Sequence, residues 1–206
     1  RAVAIVRAAD AATAAAAMPA AIDGGFRVAE FTMNTPGALE LVRDFARQDG
    51  LIVGAGTVLS VSDARAAVDA GARFLVSPVI DEEVVAEAGR LGVAIMPGTY
   101  TPTEMWRAHR CGAALQKLFP APGPEWVKTI LAPMPFLRIV PTSGVDGDNV
   151  AAYLAAGAFA VGFVRSLFDP TLLAARDWPA ITSRARSLLA ATMAATRPEA
   201  APPVTE

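Results

Sequence analysis

Short runs of apolar and β-branched residues alternate along the chain with longer stretches whose apolar positions recur at helical spacing. Eight such runs stand out: Val3–Val6, Phe26–Thr32, Leu51–Thr57, Phe74–Ser77, Ala94–Pro97, Ala114–Phe119, Leu137–Val140 and Phe159–Val164. Between them, stretches such as Thr35–Asp49 and Asp81–Leu91 carry apolar residues three and four apart with charges interleaved, the signature of helices with one buried face. Glycines precede most of the runs, at Gly25, Gly50, Gly71, Gly92, Gly112 and Gly157. From Gly50 the steps are 21, 21 and 20 residues, and the 45 to Gly157 covers two further units, with Pro133 at the missing mark. A helix that stops on a left-handed glycine and a strand that starts soon after make one βα unit. Strands alternating with helices imply a parallel sheet, and eight units of this size predict a TIM (β/α)8 barrel. A doubly wound open sheet is the alternative, but it more often uses five or six strands. The expected organisation is one α/β barrel domain over residues 1–197, closed by a last helix at Trp178–Ala195, and a flexible Pro- and Ala-rich tail over residues 198–206.

Composition narrows the function classes. Of the 206 residues, 53% are hydrophobic and 18% charged, enough apolar surface for burial to outweigh chain entropy. Lys plus Arg is 18 against 20 for Asp plus Glu, which argues against a nucleic-acid-binding protein. The mean hydropathy of +0.39 raises the question of a membrane. Apolar runs such as Leu51–Ala55 and Ala158–Val164 are too short to span one, and the alanine-rich Ala8–Ala21 holds Asp10 and Pro19 and reads as a soluble helix. The chain starts at Arg1 and enters an apolar strand almost at once, which reads as a trimmed start rather than a signal peptide. A cytoplasmic protein with no membrane partner is expected. A single cysteine excludes an intrachain disulfide framework, and one cysteine with one histidine leaves a transition-metal site short of ligands. A carboxylate-held Mg²⁺ stays open on composition alone, although no metal and no cofactor is expected.

In a barrel of this kind the active site lies at the C-terminal strand ends, so a polar group ending an apolar run is a candidate and one preceding it is not. The chain has two lysines, Lys117 and Lys128, against sixteen arginines. Lys128 follows Pro124 on a predicted helix and reads as a surface charge. Lys117 lies within a strand, where alternation puts Leu115, Lys117 and Phe119 on one face. An ammonium among such neighbours is destabilised unless it is paired or loses its proton, and a neutral lysine is a nucleophile toward a carbonyl. By the same alternation Val28, Glu30 and Thr32 share a face, and Glu30 points into the barrel, where a carboxylate can shuttle protons. An ion pair of Glu30 with Lys117 or Arg7 that only holds the core is the competing reading. Arg7, Thr57, Ser77-Pro78, Pro97-Gly98-Thr99 and Pro141-Thr-Ser-Gly144 end other runs. The loops after strands seven and eight often receive phosphate, which marks Ser143 and Gly144, with Arg165 and Ser166 after the eighth strand. His109 and Cys111 fall on the predicted helix Thr103–Cys111, as a surface histidine and a packed cysteine. Trp106, Trp126 and Trp178 read as packing or interface groups.

The segments Val3-Ala-Ile-Val-Arg7, Glu30-Phe-Thr-Met-Asn-Thr-Pro36, Gly54-Ala-Gly-Thr-Val58, Val76-Ser-Pro78, Met96-Pro-Gly98, Lys117-Leu-Phe-Pro120 and Pro141-Thr-Ser-Gly144 together resemble the 2-keto-3-deoxy-6-phosphogluconate/4-hydroxy-2-oxoglutarate aldolases, including the 2-keto-3-deoxy-6-phosphogalactonate branch. The resemblance implies a homotrimeric TIM barrel that cleaves a 2-keto-3-deoxy-6-phospho sugar acid to pyruvate and glyceraldehyde 3-phosphate. Carried over by motif, Lys117 is the Schiff-base lysine and Glu30 the general acid/base. Arg7, Thr57, Pro78, Phe119 and Thr142 line the pyruvate end, and Ser143, Gly144 and the end of strand eight receive the phosphate. Asn34-Thr-Pro36 and Gly123-Pro-Glu-Trp-Val-Lys128 look more like the phosphogalactonate branch. The family usually has Gly-Gly at Ser143-Gly144 and Gly-Ser at Val164-Arg165. Arg165 there is either a charge-assisted replacement ligand or the mark of a different or unphosphorylated keto acid. A phosphate-binding isomerase and a non-catalytic sensor on the same barrel are the rival functions.

Overall fold

A computed structural model describes residues 1–195 of the chain. The expected tail at residues 198–206 lies outside the described residues, as do the last two positions of the domain expected to reach 197. Nine strand segments and nine helices are present among the described residues. The strands are β1 (Ala2–Val6), β2 (Val28–Thr32), β3 (Ile52–Gly56), β4 (Phe74–Val76), β5 (Ala94–Met96), β6 (Gly98–Thr99), β7 (Gln116–Leu118), β8 (Ile139–Pro141) and β9 (Val161–Phe163). The helices are α1 (Ala11–Asp23), α2 (Ala38–Phe45), α3 (Val61–Asp69), α4 (Glu82–Arg90), α5 (Pro102–Arg110), α6 (Pro124–Leu131), α7 (Val150–Ala155), α8 (Pro170–Ala175) and α9 (Trp178–Ala194).

Every strand pairing is parallel. One sheet runs β5-β4-β3-β2-β1-β9 and a second runs β6-β7-β8. Pro97 alone separates β5 from β6. It has no N–H to donate, but its carbonyl accepts from the Lys117 N–H at 3.0 Å, so the fifth apolar run turns from one sheet into the other. At the opposite seam a parallel bridge joins Thr142 to Gly162. The ladder is therefore a curled parallel sheet of barrel type in two pieces, rather than one continuous eight-stranded ring. All eight apolar runs contain a strand, and the six punctuating glycines all have positive φ, from 71° at Gly92 to 112° at Gly25. Glycine reaches that region without the Cβ clash other residues meet.

Most of the helices pack outside through one apolar face, α8 being the one that buries no residue. In α4, Val84, Val85 and Ala88 are buried, and Glu87 joins them only because Arg65 and Arg90 each meet its carboxylate at 2.6 Å. Side-chain caps set several starts. Asp10 accepts from the Thr13 N–H before α1, and Thr101 and Glu104 form a reciprocal capping box on α5. The main hydrophobic cluster extends from Ala2 to Leu188. Inside the curl, Val76, Met96 and Val140 form a separate small cluster with Phe74, Leu115 and Ala160 against it. The interior is thus apolar toward the strand starts, which confines its charged groups to the strand ends. The sequence predicts one helix after the last strand. The structure has α8 before α9, and α8 stands over the C-terminal mouth.

Candidate active site

A cavity of about 680 Å³ opens at the C-terminal strand ends and is lined by Glu30, Lys117, Phe119, Arg7, Thr142, Ser143 and Arg165 together with the β1–α1 turn and α8. Glu30 is fully buried and Lys117 is 6% exposed, so neither is a surface charge. Strand alternation explains their direction. Val28 and Leu115 line an apolar cavity at the other end of the curl, and two residues further along each strand Glu30 and Lys117 line this one.

Several neighbours fix the pair. Lys117 is held at both backbone groups: its N–H donates to Pro97, and its carbonyl accepts from Thr99 Oγ1 at 2.9 Å. Its Nζ lies 4.8 Å from the centre of the Phe119 ring, within reach of a cation–π contact. Glu30 pairs in register with Gly54 on β3, and its carboxylate lies across Gly56, two residues further along that strand. A Cβ at Gly56 would sit 1.9 Å from Glu30 Oε1, so only glycine leaves room for the carboxylate there. Both Glu30 oxygens are buried without a hydrogen-bond partner among the described residues.

Burial sets the protonation of the pair. Desolvation raises the Glu30 pKa above the ordinary carboxylate value, opposed by the charges of Lys117 and Arg7. Desolvation lowers the Lys117 pKa, with Arg7 acting in the same sense and Glu30 against it. Each group is pushed toward its neutral form, and a carboxyl and an amine held so can exchange protons with a ligand. Nothing in this donor set resembles a metal site, and no group of three or more His, Cys, Asp or Glu able to hold a metal ion occurs among the described residues.

The other predicted residues fall into three places. Arg7, Phe119, Thr142, Ser143 and Arg165 line the Lys117 cavity. Gly144 lies just outside it, in an adjoining cavity of about 380 Å³ that shares Ser143, Val164 and Arg165. Pro78 lines a neighbouring cleft with Gly98, Thr99 and Tyr100, joined to the first only through Phe119. Thr57 does not border the Lys117 cavity; it is half-buried, with a left-handed φ of 59°. Ser143 also has a left-handed φ, of 61°, followed by Gly144 at 106°. Arg165 makes no hydrogen bond, ion pair or ring contact among the described residues and is exposed to the cavity mouth. Ser166 borders the cavity that holds Gly144, and its hydroxyl donates to the Val145 carbonyl at 2.7 Å. His109 is exposed on α5 against Trp106 and Phe136, and Cys111 is half-buried, as expected for groups away from the strand ends.

Sequence reasoning missed Asp10, Thr13, Phe168, Pro170, Leu173 and Ala174, which line the cavity's outer part. A signal for α8 was present. Asp169 before Pro170 is a helix-start pattern, and its Oδ1 accepts from the N–H of Thr171 at 2.8 Å.

Comparison with known proteins places this geometry. A family model, KDPG and KHG aldolase, matches residues 1–184. A probable 2-dehydro-3-deoxy-6-phosphogalactonate aldolase of Rhizobium meliloti is 35% identical over 160 residues, covering 75% of this chain and 76% of the relative. A 2-dehydro-3-deoxy-phosphogluconate aldolase of Pseudoalteromonas atlantica is 31% identical over 175 residues, covering 83% of this chain and 81% of the relative. Among solved structures, native KDPGal superposes with a TM-score of 0.86 at 28% identity, covering 94% of this chain and 95% of that one. The 2-keto-3-deoxy-6-phosphogluconate aldolase of Zymomonas mobilis superposes at 0.80, also at 28% identity, covering 91% of each chain.

Proposed function

The chain belongs to the KDPG and KHG aldolase family, and from that premise we propose that it is a Schiff-base aldolase in which Lys117 is the nucleophile and Glu30 the proton carrier. The proposed substrate is a 2-keto-3-deoxy-6-phospho sugar acid of the gluconate or galactonate series, the substrates for which its relatives are named. The observation that carries the assignment is a lysine and a glutamate buried in one cavity, each driven toward its neutral form by burial.

The neutral Lys117 amine adds to the C2 carbonyl, and the Glu30 carboxylic acid gives the proton with which water leaves, so that a protonated imine faces a Glu30 carboxylate. Glu30 takes the proton of the C4 hydroxyl, the C3–C4 bond breaks, and its electrons move into the imine. The products of that step are an aldehyde and an enamine of pyruvate. Protonation of the enamine at C3 by the Glu30 carboxylic acid, followed by hydrolysis, releases pyruvate and regenerates the amine. Arg7, Phe119 and Thr142 surround the pyruvate end, and Arg7 supplies charge for its carboxylate. Ser143, Gly144 and Arg165 form the wall assigned to the phosphate, with Thr57 and Pro78 outside the Lys117 cavity as supports of its far side.

Borohydride reduction in the presence of pyruvate tests this reading. A pyruvyl adduct on the peptide carrying Lys117, absent in Lys117→Met, is the expected result. No adduct in folded protein, beside a control aldolase that labels, overturns the imine and leaves a phosphate-binding isomerase or sensor.

The homotrimer and the cytoplasmic location belong to the same proposal. Leu59, Val79, Tyr100 and Trp126 are exposed apolar groups compatible with subunit contact, and light scattering reads the assembly. No described helix is long and apolar enough to cross a membrane.

A further inference from the structure

The 680 Å³ cavity is as large as pockets for drug-sized ligands, well beyond what a six-carbon acid fills. Its lining follows the strand order. From Lys117 on β7 it passes Thr142 and Ser143 after β8, then Val164 and Arg165 after β9, then the β1–α1 turn, and reaches Glu30 on β2. The segment between β9 and β1 differs in kind from the rest. Its walls are Phe168, Pro170, Leu173 and Ala174 on one side and Ala8 and Ala9 on the other. The ionic groups of that sector are matched to the protein. Asp10 Oδ1 accepts from the Thr13 N–H at 2.7 Å and Oδ2 from Thr13 Oγ1 at 2.9 Å. Arg176, at the end of α8 with a left-handed φ of 54°, stands within electrostatic reach of the same carboxylate. A helix end in that conformation usually carries Gly, so an arginine there keeps its charge beside Asp10 against a backbone preference.

We propose that this sector is a second arm of the active site, which receives the uncharged, apolar tail of an aldehyde, apart from the wall at Ser143 and Arg165 that serves the phosphate. The inference rests on the imine reading. In the aldol direction the pyruvate enamine attacks the aldehyde carbonyl through C3, the carbonyl oxygen takes the Glu30 proton, and water releases the product from Lys117. The aldehyde's substituent must then extend from the reacting centre along the lining of the same cavity. The arm between β1 and α8 is the one walled by Phe168, Pro170, Leu173 and Ala174, and its Asp10 is already engaged by Thr13 and Arg176, which leaves no charge there to bind an anion.

The test is aldol addition of pyruvate to a linear series from acetaldehyde to octanal, with product measured by mass. The expected result is a kcat/KM that climbs with chain length by up to roughly fourfold per methylene, the fold-change for about 0.8 kcal/mol per buried CH2, until the arm is full. Ala174→Trp, a filling change at an exposed position, and Leu173→Gln, a polar one, should flatten the climb. Borohydride labelling by pyruvate, at the far end of the cavity, reports in the same samples that the protein is folded and forms the imine. A flat series in protein that labels overturns the arm and leaves the imine standing. A climb that survives both substitutions overturns its location. Absence of labelling in the unsubstituted protein overturns the imine reading and the arm with it.

Discussion

Replacing Glu30 with Gln separates the two consequences of burying a carboxyl without a partner. The folded protein raises the Glu30 pKa, whereas the unfolded chain restores the ordinary 4.5. Between those values the folded state binds the proton more tightly, so stability is fullest below 4.5 and falls as pH rises through the window. The ceiling on that loss follows from the unfolded value alone. If Glu30 stays protonated in the fold at pH 7, the difference is 7.0 minus 4.5, or 2.5 units, worth about 3.4 kcal/mol at about 1.36 kcal/mol per unit. Glutamine has the same shape and no titration. Any penalty for its own unpartnered amide is constant with pH. Glu30→Gln should therefore gain on the parent protein as pH rises from 5 to 7, and the Glu30 proton supplies no more than about 1.4 kcal/mol per unit of that gain. Lys117 titrates in both proteins with the opposite slope, because a lowered lysine pKa makes stability rise with pH. Losing the Glu30 charge lowers Lys117 further, which steepens the variant's rise in stability with pH and so acts in the same sense as the loss of the carboxyl. The assay is urea unfolding followed by tryptophan fluorescence at pH 5, 6, 7 and 8, at one protein concentration because assembly shifts apparent stability. A difference between the two proteins that is flat across this range, or that moves against the variant as pH rises, refutes the burial argument. Activity should fall in the same variant by about 10²- to 10⁴-fold, the usual contribution of a positioned acid/base.

Three further outcomes follow from the same geometry. The rate of borohydride trapping against pH should have its midpoint below the ordinary lysine value of 10.5, and lower still in Glu30→Gln, because Glu30 is the group that raises the Lys117 pKa; a midpoint at 10.5 contradicts the desolvation of Lys117. Gly56→Ala puts a methyl group on Glu30 Oε1, so it should destabilise by about 1–3 kcal/mol and lower kcat by about 10²-fold through displacement of the carboxylate, read by denaturation and initial rates. Thr101→Ala breaks the α5 capping box far from the chemistry, and should lower Tm by about 2–4 °C, the equivalent of about 1 kcal/mol, with kcat unchanged.

The elements and the buried placement of Glu30 and Lys117 were legible in the sequence because each depends on a short-range pattern. Alternation along a strand decides whether a side chain points inward, and it put Glu30 and Lys117 inside. Boundaries moved where hydrogen bonding starts later than hydrophobicity: the second apolar run begins at Phe26, but the ladder begins at Val28. The fifth run was read as one strand, and Pro97 divides it because a residue without an N–H cannot continue both ladders. The apolar content of α8 is too short to show a helical period, so only its Asp-Pro start marked it.

Position along the barrel axis and position around it are separate questions, and the strand-end rule answers only the first. Thr57, Pro78, Thr142 and Arg165 all follow apolar runs and are equal by that rule. Around the curl they are not equal, because strand order follows chain order from β1 through β5 and returns to β1 through β9. The sixth run, which carries Lys117, and the second, which carries Glu30, are four runs apart in the chain and lie in different sheets. They meet across the interior rather than along a shared edge, and Glu30 needs only inward direction and the space left by Gly56. The cavity then occupies the arc that passes from the sixth run through the seventh, eighth and first to the second. Thr57 and Pro78 end the third and fourth runs, on the opposite arc, which explains why the structure places them away from Lys117 although their sequence setting matches that of Thr142. The same arc brings the β1–α1 turn against α8, two segments more than 150 residues apart whose contact no local pattern encodes. The inward direction of Glu30 and Lys117 is written in local alternation, whereas the shape of the space around them depends on the curl of the sheet.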